Sequence, residues 1–177
     1  VVDAAAGDRS GDVGCARLHA AQHAQRNVED IPEERLQPTF GASPFGQVFP
    51  VREVAPRMSQ GDAIGNKMSV TAFRGQDLLV DDAASIGGVQ ASTRALANRF
   101  AKQGIRVNAV APGPIRTPLT PAGCSEEKVE AVGKIAPLGR RCQRCEVAPA
   151  MLFPACGDAL CMRGRTLCPN GREGLGS

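Results

Sequence analysis

Residues 106–117 read RVNAVAPGPIRT, and this run decides the fold. With Ile105 in front, IRVNAVA alternates in polarity and is rich in β-branched residues, the pattern of a buried strand. Pro112-Gly113-Pro114 stops it abruptly, because proline fixes φ and removes backbone donors. Upstream, Asp82 to Gln103 predicts a long helix. Val89, Thr93, Leu96 and Phe100 recur at helical spacing, Asp81 or Asp82 offers an N-cap, and Gly104 a C-terminal stop. A helix, a glycine and a buried strand make the second half of a βαβ unit, and such units build parallel sheets.

The flanks add further elements. Ala63 to Val70 predicts a short strand, weakened by Gly65 and Lys67. Phe45, Val48, Phe49, Val51, Val54 and Met58 suit a buried helix, which Pro50 and Pro56 argue against as a continuous one. Asp30 to Leu36 (DIPEERL) reads as a helix start with Asp30 as N-cap. Ser125 to Gly133 and Glu146 to Cys156 predict two more helices, and Arg165 to Cys168 a last short strand. Arg140 and Arg141 read as a solvated pair.

A chain of 177 residues suffices for one domain, 1–177, and 42% hydrophobic residues exclude a disordered composition. The net charge of +3 is scattered rather than gathered on a basic face, which argues against a nucleic-acid partner. No apolar run approaches the ~20 residues of a membrane span. The opening VVDAAAGDRSGD has no basic lead and apolar stretch of a secretory signal, so a cytoplasmic location without a membrane partner is expected. It also lacks an initiator Met, which points to an incomplete start. The 7 Cys are odd in number and do not read as a disulfide framework. Cys142-x2-Cys145 has metal-like spacing, but Cys156-x4-Cys161 is a poor second pair, and His19 and His23 lack a third ligand. No metal site is expected.

The dodecamer after a long helix resembles the segment that follows the catalytic helix of short-chain dehydrogenases/reductases. VEDIPEERLQPTF and SVTAFRG are similar to that family's helix and its strand ending in the catalytic Ser, and PLGRRCQRCEVAPAMLFPACGDALCMRGRTLCPNG to its closing stretch. Gly11 to Gln22 resembles the strand leading to the NNAG turn, here Leu18-His19-Ala20-Ala21. The resemblance covers nearly the whole chain and aligns it with the C-terminal two-thirds of a typical member. It implies an α/β fold: a partial, doubly wound Rossmann-like parallel sheet lacking the N-terminal βαβαβ half. It also implies NAD or NADP as cofactor, approached by Ala20, Pro112, Gly113, Ile115 and Thr117. The Pro-Gly turn would let the backbone come close to the flat nicotinamide ring, and the backbone of Ile115 and the hydroxyl of Thr117 would hold its carboxamide.

Two departures cut against activity. The glycine-rich phosphate loop, TGxxxGxG, has only Gly7-x3-Gly11-x2-Gly14 as a counterpart, with one residue too many and no strand-forming run before it. Val1 to Ser10 reads instead as the tail of a helix. The second departure is chemical. The family's YxxxK falls on Asp82 and Ile86, and the chain contains no Tyr at all. An unperturbed Asp titrates near ~4, so at neutral pH it holds no proton to donate, and its charge opposes a developing alkoxide. The family's supporting Asn falls on Ser43. Of the four catalytic positions only Ser69 is retained, thirteen residues before Asp82.

Each site residue also has a plain structural reading. Ser69 can bond its own backbone, Asp82 can cap the helix, and Thr117 can close the turn. The sequence therefore reads as an oxidoreductase by ancestry, acting on an alcohol or carbonyl compound of low mass if active, but inactive as written. The alternative is a non-catalytic scaffold subunit. Val89, Leu96 and Phe100 of helix 82–103 would then serve a homo-oligomer, since members of the family commonly pair through this helix and its neighbour.

Overall fold

The computed structural model describes residues 2–5, 15–18, 25–117, 133–134 and 136–172. The glycines at 7, 11 and 14, His19, Ala20, His23, Cys124 and most of the helix expected at 125–133 lie outside the described residues.

Five strands form one sheet: β1 (Val2–Ala5), β2 (Cys15–Leu18), β3 (Ala63–Lys67), β4 (Arg106–Val110) and β5 (Thr166–Leu167), in that spatial order. β2 to β5 run parallel and β1 is antiparallel to β2. This is the partial Rossmann-like sheet the sequence implied. The strands read at 63–70, 105–111 and 165–168 are all present. The helix tail expected at 1–10 is not: Val2–Ala5 is a strand. Four small residues form no stable helix without a packing face, whereas the edge of β2 offers a hydrogen-bonding ladder.

The helices are α1 (Glu33–Phe40), α2 (Gly46–Val54), α3 (Thr71–Arg74), α4 (Val80–Phe100) and α5 (Arg144–Leu152). α1 begins with Pro32 at the cap position, not Asp30, which lies in the 3-10 turn Val28–Asp30 and accepts from the Asn27 amide at 3.0 Å. Pro38, Pro44, Pro50 and Pro56 each remove a donor from the stretch that follows. The backbone answers with a π turn (Gly41–Phe45) between α1 and α2 and a 3-10 turn (Ala55–Arg57) after them. Pro50 is thus tolerated inside α2.

The inward face of α1 to α2 is more polar than the sequence pattern suggests. Thr39, Ser43, Gln47 and Val51 are buried, while Phe45, Val48 and Phe49 are 52%, 41% and 54% exposed. Thr39 Oγ1 donates to Asp81 of α4 at 3.4 Å and Gln47 Nε2 to the Lys67 carbonyl of β3 at 3.1 Å, so these two polar side chains find partners on the inward side. Hydrogen bonding overrides the apolar count here.

α4 crosses the sheet between two apolar clusters. Its C-terminal half packs Ala97 and Phe100 against Val51, Ile64, Ile105 and Val107. Its N-terminal half packs Ile86 and Val89 against Met68, Ala109 and Ala111. Val89 and Phe100 are therefore core residues, unavailable to a second copy. Gly104, at φ +74, ends the helix in the left-handed conformation that glycine adopts without strain.

Candidate active site

Ligands of parallel α/β sheets bind at the carboxyl ends of the strands. Here that edge is built from the end of β3, the first turns of α4 and the turn after β4. Met68 N donates to the Val110 carbonyl at 2.7 Å and Val70 N to the Pro112 carbonyl at 3.2 Å. These bonds flank Ser69 and hold it beside the proline-rich turn. Its hydroxyl lies 2.7 Å from Thr71 Oγ1 and accepts from Thr71 N at 3.2 Å, the local turn-closing geometry of serine.

Asp82 is not the helix cap. Leu79 occupies that position, α4 starts at Val80, and Asp82 sits in the first turn, 2% exposed. The helix begins early because Asp81 is tied down: it accepts from Arg35 Nε at 3.3 Å as well as from Thr39. The positive end of the helix dipole favours both acids there. One turn on, Ile86 is 3% exposed and part of the apolar cluster with Met68, Val89, Ala109 and Ala111. Ser43 lies buried in the π turn. Sequence reasoning missed Lys67. Burial pushes its amine below the ordinary lysine range, while the charge of Asp82 acts in the opposite sense. A lysine at the end of a strand otherwise lined by buried residues was the available signal.

The turn after β4 is held from its far side. Ile115 forms an isolated parallel bridge with Cys142, through Cys142 N to the Pro114 carbonyl (2.8 Å) and Arg116 N to the Cys142 carbonyl (2.9 Å). The bridge uses the neighbours' groups, not Ile115's own. Gly113 N donates to the Pro169 carbonyl at 3.2 Å, and a Cβ on Gly113 would lie 2.7 Å from Asn170 Cα and 2.8 Å from its carbonyl oxygen. The glycine is thus required by the closing segment. Pro112 is buried and Thr117 partly so.

Arg140 is not merely solvated. It grips Glu146 with two bonds of 2.8 Å, and Glu146 also accepts from the Gln143 backbone at 2.6 Å to complete a capping box on α5. Cys142, Cys145, Cys156, Cys161 and Cys168 are free thiols, and among the described residues no three His, Cys, Asp or Glu side chains gather to hold a metal. No helix of the described residues is long and apolar enough to cross a membrane.

A strand-edge site between a long helix and a proline-rich turn, on a parallel sheet, occupies the ligand-binding edge of an open α/β fold. A family profile described as Enoyl-(Acyl carrier protein) reductase matches residues 4–171, and the chain belongs to the short-chain dehydrogenase/reductase family. It is 41% identical to the glucose and ribitol dehydrogenase homolog of Oryza sativa subsp. japonica, over 97% of this chain and 60% of that protein. It is 42% identical to NADPH-dependent aldehyde reductase 1, chloroplastic, of Arabidopsis thaliana, over 86% of this chain and 53% of that one. The chain spans little more than half the length of such curated relatives. Among solved structures, an NADPH-bound short chain oxidoreductase from Pseudomonas aeruginosa, described as containing an atypical catalytic center, superposes with a TM-score of 0.86. That match has 22% identity and covers 95% of this chain and 68% of that one, so it speaks for the fold alone.

Proposed function

We propose that the chain is a catalytically silent short-chain dehydrogenase/reductase domain, inherited from an NAD(P)-dependent alcohol or carbonyl oxidoreductase. The observation that carries this reading is Ile86, packed at 3% exposure into an apolar cluster at the position of the family's ribose-binding lysine. An isoleucine offers no donor to a ribose and no charge to lower the pKa of a proton donor. Asp82 stands where the tyrosine would release its proton, and Ser69 turns its hydroxyl to Thr71. The residues of the edge do not fit a productively bound nicotinamide dinucleotide, and no hydride-transfer step follows from them. Titration with NADH and NADPH, following nicotinamide fluorescence, tests the fit. The reading expects no saturation at micromolar concentration, and saturable micromolar binding would contradict it.

A second reading, a scaffold subunit that pairs with its own copies, is favoured by one observation. Phe45, Val48 and Phe49 form an exposed apolar strip, with the Arg52 guanidinium 5.5 Å from the Phe49 ring centroid. This strip replaces Val89 and Phe100 as the pairing surface. Sedimentation of the chain should give a dimer or larger species that Phe49→Ser weakens, and a monomer at all concentrations would dismiss it.

A further inference from the structure

Along the chain the arginines are dispersed, but the fold gathers several of them beside the turn after β4. The Ile115–Cys142 bridge joins that turn to the stretch before α5, with Arg116 N donating to the Cys142 carbonyl at 2.9 Å. Leu138 N donates to the Gly171 carbonyl at 3.2 Å, which brings the closing segment and Arg172 alongside. Across a parallel bridge, the residues next to the paired position project to the opposite face. Cys142 is buried, so Arg116 and Arg141 share the outer face, their Cα atoms about 8 Å apart on the diagonal. The Arg141 stem lies over Gly133, where a Cβ would stand 3.0 Å from Arg141 Cγ. Arg116, Arg144 and Arg172 are exposed and Arg141 partly so. Arg140 is paired with Glu146, the one acid among the described residues of these segments. The other four guanidinium groups make no ion pair with any described residue.

We propose that this face docks an extended acidic peptide segment of a partner protein. A guanidinium presents its donors as a planar fork that matches a carboxylate, and such charge-assisted pairs are the strong ones. Carboxylates two residues apart on an extended chain lie about 7 Å from one another, close to the spacing of Arg116 and Arg141. Arg144, the first residue of α5, and Arg172 continue the cationic surface on either side. A single-stranded nucleic acid fits the face less well. Its bases need aromatic platforms, the chain has no Trp or Tyr, and none of its 6 Phe lies on these segments. Docking here is independent of whether a nicotinamide binds at the strand edge, so the test contains none.

The full chain is titrated at low salt into a fluorescein-labelled peptide of alternating glutamate and threonine, and anisotropy is followed. Binding should saturate and weaken as sodium chloride is added. The double substitution Arg116→Glu with Arg141→Glu should weaken it by about ten-fold or more, as loss of charge-assisted bonds implies. Arg116→Glu alone, at an exposed position, should show part of that loss. Arg57→Glu with Arg94→Glu changes the net charge equally at exposed arginines elsewhere and should leave most of the affinity. Equal losses in the two double variants, or no saturation with the parent chain, would overturn the proposal. So would tighter binding of a single-stranded oligodeoxynucleotide at the same face. Self-association of the chain at low salt, abolished by the Arg116 and Arg141 substitutions, would assign the face to the exposed acids Glu29 to Glu34 of a second copy and overturn it too.

Discussion

Residues 106–117 and the first two turns of α4 face the same sheet edge, yet they answer to different constraints. The strand and turn are held by bonds that the fold cannot replace. Arg106 donates to the carbonyls of Pro154 and Ala155, and Asn108 donates to the Met162 carbonyl at 2.9 Å and accepts from Arg165 N at 3.0 Å. A Cβ at Gly113 would collide with Asn170. The start of α4 needs only an apolar wedge and a polar anchor, which Ile86 and Asp81 provide. On the proposed reading, the fold keeps its family turn intact while the helix beside it carries Asp82 and Ile86 where the resemblance places the reacting groups. Scaffold and chemistry are separate requirements, even a few residues apart.

Substitutions on the two sides sharpen that contrast. The largest effect is expected from Ile86→Lys, which restores the family's residue into what is now an apolar cluster. Placing an ammonium among Met68, Val89, Ala109 and Ala111 should cost about 3–4 kcal/mol, because burial of a charge outweighs its attraction to Asp82. A urea midpoint unchanged by this substitution would mean that the position is still built for lysine. Gly113→Ala comes next. Its Cβ would meet Asn170 backbone atoms at 2.7–2.8 Å, and relief requires moving the closing segment. A loss of about 2–3 kcal/mol is expected from such overpacking.

The smallest effect falls on the exposed Arg140–Glu146 pair. The Arg140 guanidinium, then the Gln143 N–H, hold the Glu146 carboxyl at about 2, below its ordinary value. A depressed acid contributes stability above its unfolded pKa and loses it as pH falls towards the folded value. The difference in urea midpoint between the parent and Glu146→Gln should be small at neutral pH, in keeping with a solvent-screened pair. It should fade between about pH 4 and pH 2. A difference that grew on acidification would contradict this assignment.

Much of the fold was legible because periodicity and punctuation agreed. IRVNAVA alternates, Gly104 and Pro112 bracket it, and Val89, Thr93 and Phe100 mark the inward face of α4. Val2–Ala5 was not legible, since a strand of VDAA is specified by the edge of β2 and not by its own residues. The buried face of α2 is not the apolar one that the spacing of Phe45 to Met58 suggests, because Gln47 finds its partner, the Lys67 carbonyl, only in three dimensions. Asp82 looked like a cap because nothing local announces that Arg35, 46 residues before Asp81, anchors the helix earlier. The candidate site followed the same rule. Its retained turn could be read from sequence, whereas the packing of Ile86 and the partial burial of Lys67 depend on neighbours distant in the chain.

The most direct measurement is turnover. Purified chain is supplied with NADPH or NADH and a panel of aldehydes, and in the reverse sense with NADP or NAD and polyols, while nicotinamide absorbance is followed. With Asp82 and Ile86 in place of the proton donor and its lysine, oxidation should not exceed the protein-free rate with any pair. Turnover that saturates with substrate and disappears in Ser69→Ala would show that this edge still transfers hydride, and would contradict the reading.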